Sequence, residues 1–318
     1  MPAGLIPVLH AGVPLPHIWT QWVWEPGIVL PLVVSAVLYA RGTRAIHRRA
    51  GAGHGVTQMQ AACFWAGWWT LVFALLSPLH PLSEQLFFAH MIQHELLMVV
   101  AAPLLVLGRP LVPMLWALPL PARIRTGRMT RDHRIAIVWT TLTLPPVAWA
   151  LHAVAIWGWH TPWLFQATLE SDAVHALQHG CFLGTALLFW WAMIHPRSAV
   201  AGSASARGAA VIYLFTTTVH SGALGALLTF SRTLWYPSYA STAASWGISP
   251  LEDQQLAGLI MWIPASVAYL VAALAIFARW LRESEWRVAQ RQLADAVTWG
   301  ALAGARARVL AEDEEEWR

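Results

Sequence analysis

Seven apolar runs, most of them about 20 residues long, limit the folds that this chain can adopt. An α-helix needs about 20 apolar residues to cross a bilayer, and it satisfies all its backbone hydrogen bonds internally. Only 11% of the residues are charged, whereas a soluble domain carries about 25%. The sequence therefore predicts an all-α membrane protein, a bundle of seven transmembrane helices. The runs cover approximately residues 25–39, 58–76, 85–107, 135–157, 173–194, 208–230 and 255–280.

The arginines predict the orientation of this bundle. All 20 basic residues are arginine, and all but Arg232 lie after the first, third and fifth runs or from Arg279, at the end of the seventh run, onward. Because cytoplasmic loops carry the excess of basic residues, we expect the N-terminus outside and the C-terminus in the cytoplasm. The arginines flank apolar runs, as topology signals do, so the basic net charge does not indicate a nucleic-acid partner.

This topology divides the chain into three parts. Residues 1–24 are predicted to be an external N-terminal segment, 25–281 a seven-helix transmembrane domain and 282–318 a cytoplasmic polar tail, which is expected to form a solvated or surface-lying helix. Pro145 and Pro146 lie inside the fourth run, where they remove backbone donors and predict a kink. The connection before the seventh run is predicted to form an aromatic belt at the membrane interface, through Trp235, Tyr236, Tyr239 and Trp246.

Two pairs of histidines with the same spacing are the main functional signal. His90 and His94 lie near the start of the third run, and His175 and His179 near the start of the fifth. Residues four apart lie on the same face of a helix. Imidazole is costly in hydrocarbon without a partner, so two such pairs need a physical reason. Both runs start on the predicted outer side, and we expect the pairs to meet there around a metal ion.

Other polar residues, in or at the ends of the runs, are candidates to surround the ligands or to form a transfer path. These are His152, His160, His220, Glu95 and Gln254. His152 and His220 are expected deeper than the pairs, and His160 near the interface. Asp253, at the start of the seventh run, is interpreted as a ligand, as a residue that orients an imidazole, or as the N-cap of its own helix. His10, His17 and His80 are expected to be external, where they could capture an ion but are expected to be solvated.

Imidazole and carboxylate ligands suit copper, zinc or iron. The two cysteines, Cys63 and Cys181, lie inside apolar runs and form neither a disulfide framework nor a CxxC site. The alternative to a metal site is a set of histidines that bond to backbone carbonyls and to one another across the bundle.

Three stretches resemble the CtaG-like assembly factors of caa(3)-type cytochrome c oxidase. The first runs from His90-Met-Ile-Gln-His94 to Ala102-Pro103 and Gly108-Arg-Pro110. The second joins His175-Ala-Leu-Gln-His179 to Leu188-Phe189-Trp190-Trp191. The third contains Tyr236-Pro, Ser249-Pro-Leu-Glu-Asp253-Gln-Gln and Met261-Trp262-Ile-Pro264.

The resemblance implies a seven-helix protein of the bacterial cell (inner) membrane, needed to form active oxidase and acting in copper supply. It implies that His90, His94, His175, His179 and Asp253 carry the function. Copper would be the bound ion, and oxidase subunits or another copper protein would be the partners beside the lipid bilayer. Glu95 departs from the expected pattern, which has an apolar residue or methionine there.

The leading hypothesis is therefore a copper-binding assembly factor, a metallochaperone rather than an enzyme. A haem b cytochrome and a di-metal membrane enzyme would use the same histidines. A purely structural scaffold would need none of them. A transporter lacks a visible path, because His195 is the one histidine in the inner half of the spans. The sequence leaves the oligomeric state open.

Overall fold

A computed structural model describes residues 15–51, 55–195 and 204–316 of the chain. Throughout these ranges the regular elements are helices. Six helices are long and apolar enough to cross a membrane, and one bent pair of helices would be a seventh span. The chain is therefore a multi-pass helical membrane protein. The candidate spans are Pro26–Ala50, Gln58–Leu76, Phe87–Leu107, Asp172–Ile194, Ala209–Thr229 and Pro250–Ala296, and the bent pair is His133–Leu142 with Pro145–Trp159.

The helices follow the apolar runs, with local signals at several ends. Thr57 and Gln60 form a reciprocal capping box at the start of the second span, and Asp132 caps Arg134 and Ile135. The first half of the chain contains α1 (Pro26–Ala50), α2 (Gln58–Leu76), α3 (Leu79–Ser83), α4 (Phe87–Glu95), α5 (Ala102–Leu107), α6 (Leu111–Ala117) and α7 (Leu120–Met129).

The second half repeats this pattern of long spans joined by short helices. It contains α8 (His133–Leu142), α9 (Pro145–Trp159), α10 (Pro162–Glu170), α11 (Asp172–Ile194), α12 (Ala204–Thr229), α13 (Ala240–Ser245) and α14 (Pro250–Glu316). Short 3-10 turns lie at Leu15–Thr20 and Pro237–Tyr239.

The fourth run is broken, as its prolines predicted. The axes of α8 and α9 differ by 65° across the break. Pro145 begins α9, because proline lacks the amide hydrogen that an interior helical residue would donate.

The third span contains a π-helical segment that the sequence did not predict. This segment, Leu96–Ala101, lies between α4 and α5. Such segments are rare and occur frequently at functional sites. It begins directly after His94 and Glu95 and joins the histidine-bearing turn to the rest of the span.

The first two spans run in opposite directions, whereas the third and fifth spans run in the same direction and start at the same end. The amide of Val23, just before α1, donates to the carbonyl of Leu76 at the end of α2 (2.9 Å). In the Trp190 side chain of α11, Nε1 donates to the Met98 carbonyl in the third span (2.9 Å). The starts of α4 and α11 therefore lie close together, as the histidine pattern required.

Glycines allow α12 and α14 to cross at close range. A Cβ on Gly258 would lie 2.6 Å from the carbonyl oxygen of Gly225, and one on Gly225 would lie 2.8 Å from that of Gly258. Separations this short require the helices to move apart, because the obstructing atoms belong to the backbone.

We expect Gly258→Ala to destabilise the bundle by about 1–3 kcal/mol, the usual effect of overpacking. Thermal unfolding of the detergent-solubilised protein measures this effect. Gly184→Ala is the matched control, because a Cβ there meets no atom within 4 Å. Equal melting temperatures for the two variants would contradict the close crossing.

The last helix is longer than its apolar run. α14 extends through residue 281 to Glu316, so the predicted polar tail is helical as far as it is described. The chain divides into two compact units between Tyr269 and Leu270. The cytoplasmic location of the tail stays a prediction.

Candidate metal centre

Six histidine side chains converge where the starts of α4 and α11 meet the end of α9. Each ring centroid lies within 6.0 Å of at least one other ring of the group. All six side chains are buried. We call this group the histidine cluster, and it consists of His80, His90, His94, His160, His175 and His179.

Three members of the histidine cluster have the geometry of a metal site. Donor nitrogens of His90, His175 and His179 all lie within 4.8 Å of one another. Two nitrogens bound to one ion at about 2.1 Å each can be at most about 4.2 Å apart. The three rings therefore need to move inward by less than about 1 Å to bind a single ion.

His94 lies beside these three and offers a fourth donor. Its ring centroid is 4.3 Å from that of His90 and 5.3 Å from that of His179. Among the described residues, neither ring nitrogen of His94 has a hydrogen-bond partner, and neither has Nε2 of His179. Buried polar atoms without a partner are rare in native proteins and call for an explanation. A bound metal ion would satisfy them.

A tyrosine from the connection before α14 orients His90. The hydroxyl of Tyr239 donates to the carbonyl of Ser83 (3.0 Å) and lies 3.2 Å from His90 Nδ1. Because its hydrogen is used in the first bond, the oxygen accepts from Nδ1–H, a tautomer assigned from this network. His90 Nε2 then carries a lone pair, as a metal ligand requires. It lies 3.4 Å from the side-chain amide of Gln178, which would donate to it through its NH2 group. Burial keeps the pKa of Tyr239 well above its usual value.

We expect Tyr239→Phe to weaken metal affinity about 10- to 100-fold, the usual effect of removing a group that orients a ligand. Competitive titration of copper into the purified protein measures this change. Tyr236→Phe is the matched control, because the Tyr236 hydroxyl bonds to the backbone carbonyl of His160 and not to a ring (2.7 Å). If both variants bind copper as tightly as the wild type, Tyr239 does not position His90.

His160 closes one side of the histidine cluster. Its Nδ1 donates to the Ile156 carbonyl (2.6 Å), which leaves Nε2 as an acceptor 3.5 Å from the sulfur of Met91. Burial lowers the pKa of His160 to about 4, so the ring is neutral at physiological pH. A neutral imidazole beside a thioether is a donor set that a soft metal ion would bind.

His80 was expected in solvent, and this prediction was wrong. The side chain is buried, with 6% of its surface exposed. Gln93 Nε2 donates to His80 Nδ1 (3.0 Å), and the His80 ring stacks on His175 at 5.7 Å. The short helix α3 folds back onto α4 and carries His80 inward. His17 is exposed as expected, and His10 lies outside the described residues.

Asp253 organises the cluster from outside it. Its two carboxylate oxygens accept hydrogen bonds from the amides of Phe87 (2.8 Å) and Phe88 (2.9 Å). These are free donors at the start of α4, so Asp253 caps the helix of His90 and His94 and not its own. Each carboxylate oxygen keeps a second lone pair, so these hydrogen bonds do not prevent metal binding. The ligand role of Asp253 stays a prediction.

The other candidates occupy different surroundings. Gln254 bonds to the connection that precedes α14: its Oε1 accepts from the Trp235 amide (2.6 Å), and its Nε2 donates to the Thr233 carbonyl (3.1 Å). In the described part of the chain, Oε2 of Glu95 is enclosed and has no hydrogen-bond partner.

His152 and His220 lie on α9 and α12. His152 Nδ1 is 3.1 Å from the Thr185 hydroxyl, and the His220 ring contacts Trp149 at 5.4 Å. Neither ring is within the contacts that define the histidine cluster. Whether they belong to a transfer path stays a prediction.

Sequence reasoning missed several polar and sulfur groups of this site. Tyr236 and Tyr239 were assigned to an interfacial belt, but both are 2% exposed, so that prediction was wrong for them. Gln93, Gln178 and Met91 were not singled out. The spacing of the two glutamines could have identified them. Gln178 follows His175 by three residues and Gln93 follows His90 by three, so each lies on the helix face that carries the histidines.

Comparisons with known proteins indicate the family of the chain. Residues 37–283 match the family model described as cytochrome c oxidase caa3 assembly factor. Uncharacterized protein Mb0105 of Mycobacterium bovis and uncharacterized protein MT0111 of Mycobacterium tuberculosis are each 27% identical over 286 residues. The match covers 87% of this chain but 42% of each relative. No solved structure matches. The family model covers the histidine cluster and Asp253, and the chain belongs to the cytochrome c oxidase caa3 assembly factor family.

Proposed function

We propose that the chain supports oxidase assembly by binding a copper ion in the histidine cluster and passing it to an oxidase subunit or to another copper protein. The observation that carries this proposal is the approach of three histidine donors to within 4.8 Å of one another. His94 adds a fourth buried imidazole with both nitrogens available among the described residues. The copper ion is cargo in this role, and no reaction is catalysed.

The donor set favours copper over other common ions. Imidazole binds copper, zinc and iron, whereas a thioether adds preference for cuprous ion. Met91 is fully buried, and its sulfur lies 3.5 Å from His160 Nε2. Membership of an oxidase assembly family also supports copper, since cytochrome c oxidase contains copper centres. Calcium and magnesium, which prefer oxygen ligands, fit this set poorly.

Neutral ligands suit an ion that must be released. His80 and His160 are both buried, and burial lowers the pKa of each below its usual value. A cluster without a thiolate binds copper more weakly than a thiolate site does. More histidines are present than a single copper ion needs, so an incoming protein ligand can replace one imidazole while others hold the ion.

The orientation of the bundle is part of the proposal. Arg48, Arg49 and Arg123 lie at the end of α1 and in α7. The histidine cluster lies where α2 ends and α4 begins, at the opposite end of these helices. With the arginine-rich end in the cytoplasm, the bent pair counted as one of seven spans, and the N-terminus outside, the histidine cluster faces the outer side of the bacterial cell membrane.

Oxidase assembly in cells tests the delivery step. In a host that depends on this chain for its oxidase, we expect His94→Ala with His175→Ala to lower the copper content of the purified oxidase to that of a deletion strain. His17→Ala with His133→Ala is the control, because both of these side chains are exposed. Normal oxidase copper in the cluster variant would point to a scaffold role and overturn the proposal.

A visible spectrum separates the main alternative. A haem b cytochrome would show a Soret band in the purified protein. A copper-loaded chain without such a band supports the proposal, and a haem band that disappears in the cluster variant contradicts it.

A further inference from the structure

A pocket lined by three arginines lies at the opposite end of the fold from the histidine cluster. Its volume is about 290 Å³, close to the lower limit of about 300 Å³ for small-ligand sites. It is bounded by the end of α1, by α6 and by the start of α7. The lining residues are Ala45, Arg48, Arg49, Trp116, Leu118, Leu120 and Arg123.

An indole ring holds two of the guanidinium groups in place. The guanidinium carbons of Arg123 and Arg49 lie over the Trp116 ring, at 4.4 and 5.3 Å from its centroid. Cation–π contacts at these distances restrict the arginine side chains without neutralising them. Among the described residues that line the pocket none is acidic, so the positive charge is not balanced within the pocket.

The surroundings of the pocket are apolar and exposed. Leu111, Val112, Leu120 and Ile124 expose between 47% and 57% of their surfaces on α6 and α7. Apolar side chains exposed beside arginines are typical of a helix that lies at the membrane interface. α6 approaches α1 closely, because a Cβ on Gly42 would overlap the Pro113 carbonyl oxygen, and this approach keeps the two helices together.

We propose that this pocket binds the phosphate-bearing headgroup of an anionic phospholipid. Guanidinium groups bind phosphate oxygens with two parallel hydrogen bonds. Basic pockets beside membrane-spanning helices are a general site for anionic headgroups. Leu118 and Leu120 at the rim would contact the glycerol and the upper acyl chains. The apolar surroundings favour a lipid over free phosphate, which would gain nothing from them.

Lipid binding by the purified full-length protein tests this proposal. The protein is exchanged into detergent micelles with phosphatidylglycerol, with phosphatidylcholine, or with inorganic phosphate in the buffer and no lipid. Native mass spectrometry then counts the molecules that the protein retains in each condition. We expect one retained phosphatidylglycerol. Arg49→Gln with Arg123→Gln should weaken its binding about 30-fold, and Arg49→Gln alone, at an exposed position, about 5-fold.

Matched variants and the other additives decide the remaining outcomes. Arg125→Gln with Arg128→Gln removes the same charge from exposed positions of α7 that do not line the pocket, and we expect it to leave affinity nearly unchanged. Equal weakening by both pairs would show a diffuse charge effect and overturn the site. If phosphatidylcholine were retained as well as phosphatidylglycerol, the pocket would not select an anionic headgroup. If inorganic phosphate alone were retained equally well, the ligand would not be a lipid. Copper binding is not involved, so these outcomes are independent of the proposed function.

Discussion

Replacing His90 and His179 with alanine is expected to reduce copper bound by the purified protein to background. The two residues lie on α4 and α11, so this change leaves neither helix with a complete histidine pair. Loss of a group that merely orients a ligand weakens metal sites about 10- to 100-fold. Loss of two ligands should therefore weaken this site by well over about 100-fold. Metal analysis after dialysis against a weak chelator measures the bound copper.

The control for this experiment is the pair of exposed histidines, His17 and His133. Their replacement with alanine should leave bound copper unchanged, because both side chains are exposed and neither belongs to the histidine cluster. The melting temperature of each metal-free variant shows whether the bundle is intact. Unchanged copper in a folded His90→Ala, His179→Ala variant would contradict a shared site on the two helices.

Replacing Asp253 with alanine is expected to give the largest loss of stability. Two amides at the start of α4, those of buried Phe87 and partly buried Phe88, would lose hydrogen bonds to a carboxylate. An N-cap usually contributes about 1 kcal/mol, and a hydrogen bond to a charged group about 1.5–3 kcal/mol. Together these values predict a loss of about 3 kcal/mol in the free energy of unfolding. Thermal or denaturant unfolding of the metal-free protein measures it.

Asparagine at the same position separates the cap from a ligand role. Asp253→Asn keeps one oxygen that can accept from one amide, so we expect roughly half of the stability loss of Asp253→Ala. Copper affinity should fall only as far as α4 is displaced. Glu252→Gln, at an exposed neighbouring position, is the control for charge. If Asp253→Asn abolished copper binding without lowering stability, Asp253 would be a ligand and the capping account would be wrong.

Much of the fold could be predicted from the sequence, because the length and apolar composition of a run are sufficient to identify a membrane-spanning helix. The second span, predicted at approximately residues 58–76, is Gln58–Leu76, and the kink at Pro145 was predicted from the missing backbone donors. The π-helical segment Leu96–Ala101 was not predicted, because π-helices have no periodicity that an apolar run displays.

The core of the site was predictable for a different reason. Spacing of four places His90 with His94 and His175 with His179 on single faces, and the topology brings the two helix starts to one end. His80 and Tyr239 lay beyond such reasoning. Both are carried by short connections whose path depends on tertiary contacts, such as the bond from the Tyr239 hydroxyl to Ser83 and the contact of Ile18 with α3, α4 and α13.

Copper K-edge X-ray absorption of the copper-loaded full-length chain tests the central claim most directly. If the two histidine-bearing helices form one site, the spectrum should show at least three imidazole nitrogens about 2.0 Å from copper, and His90→Ala with His179→Ala should remove that signal. Copper surrounded by oxygen alone, or an imidazole signal that survives in this variant, would contradict a metal site shared by α4 and α11.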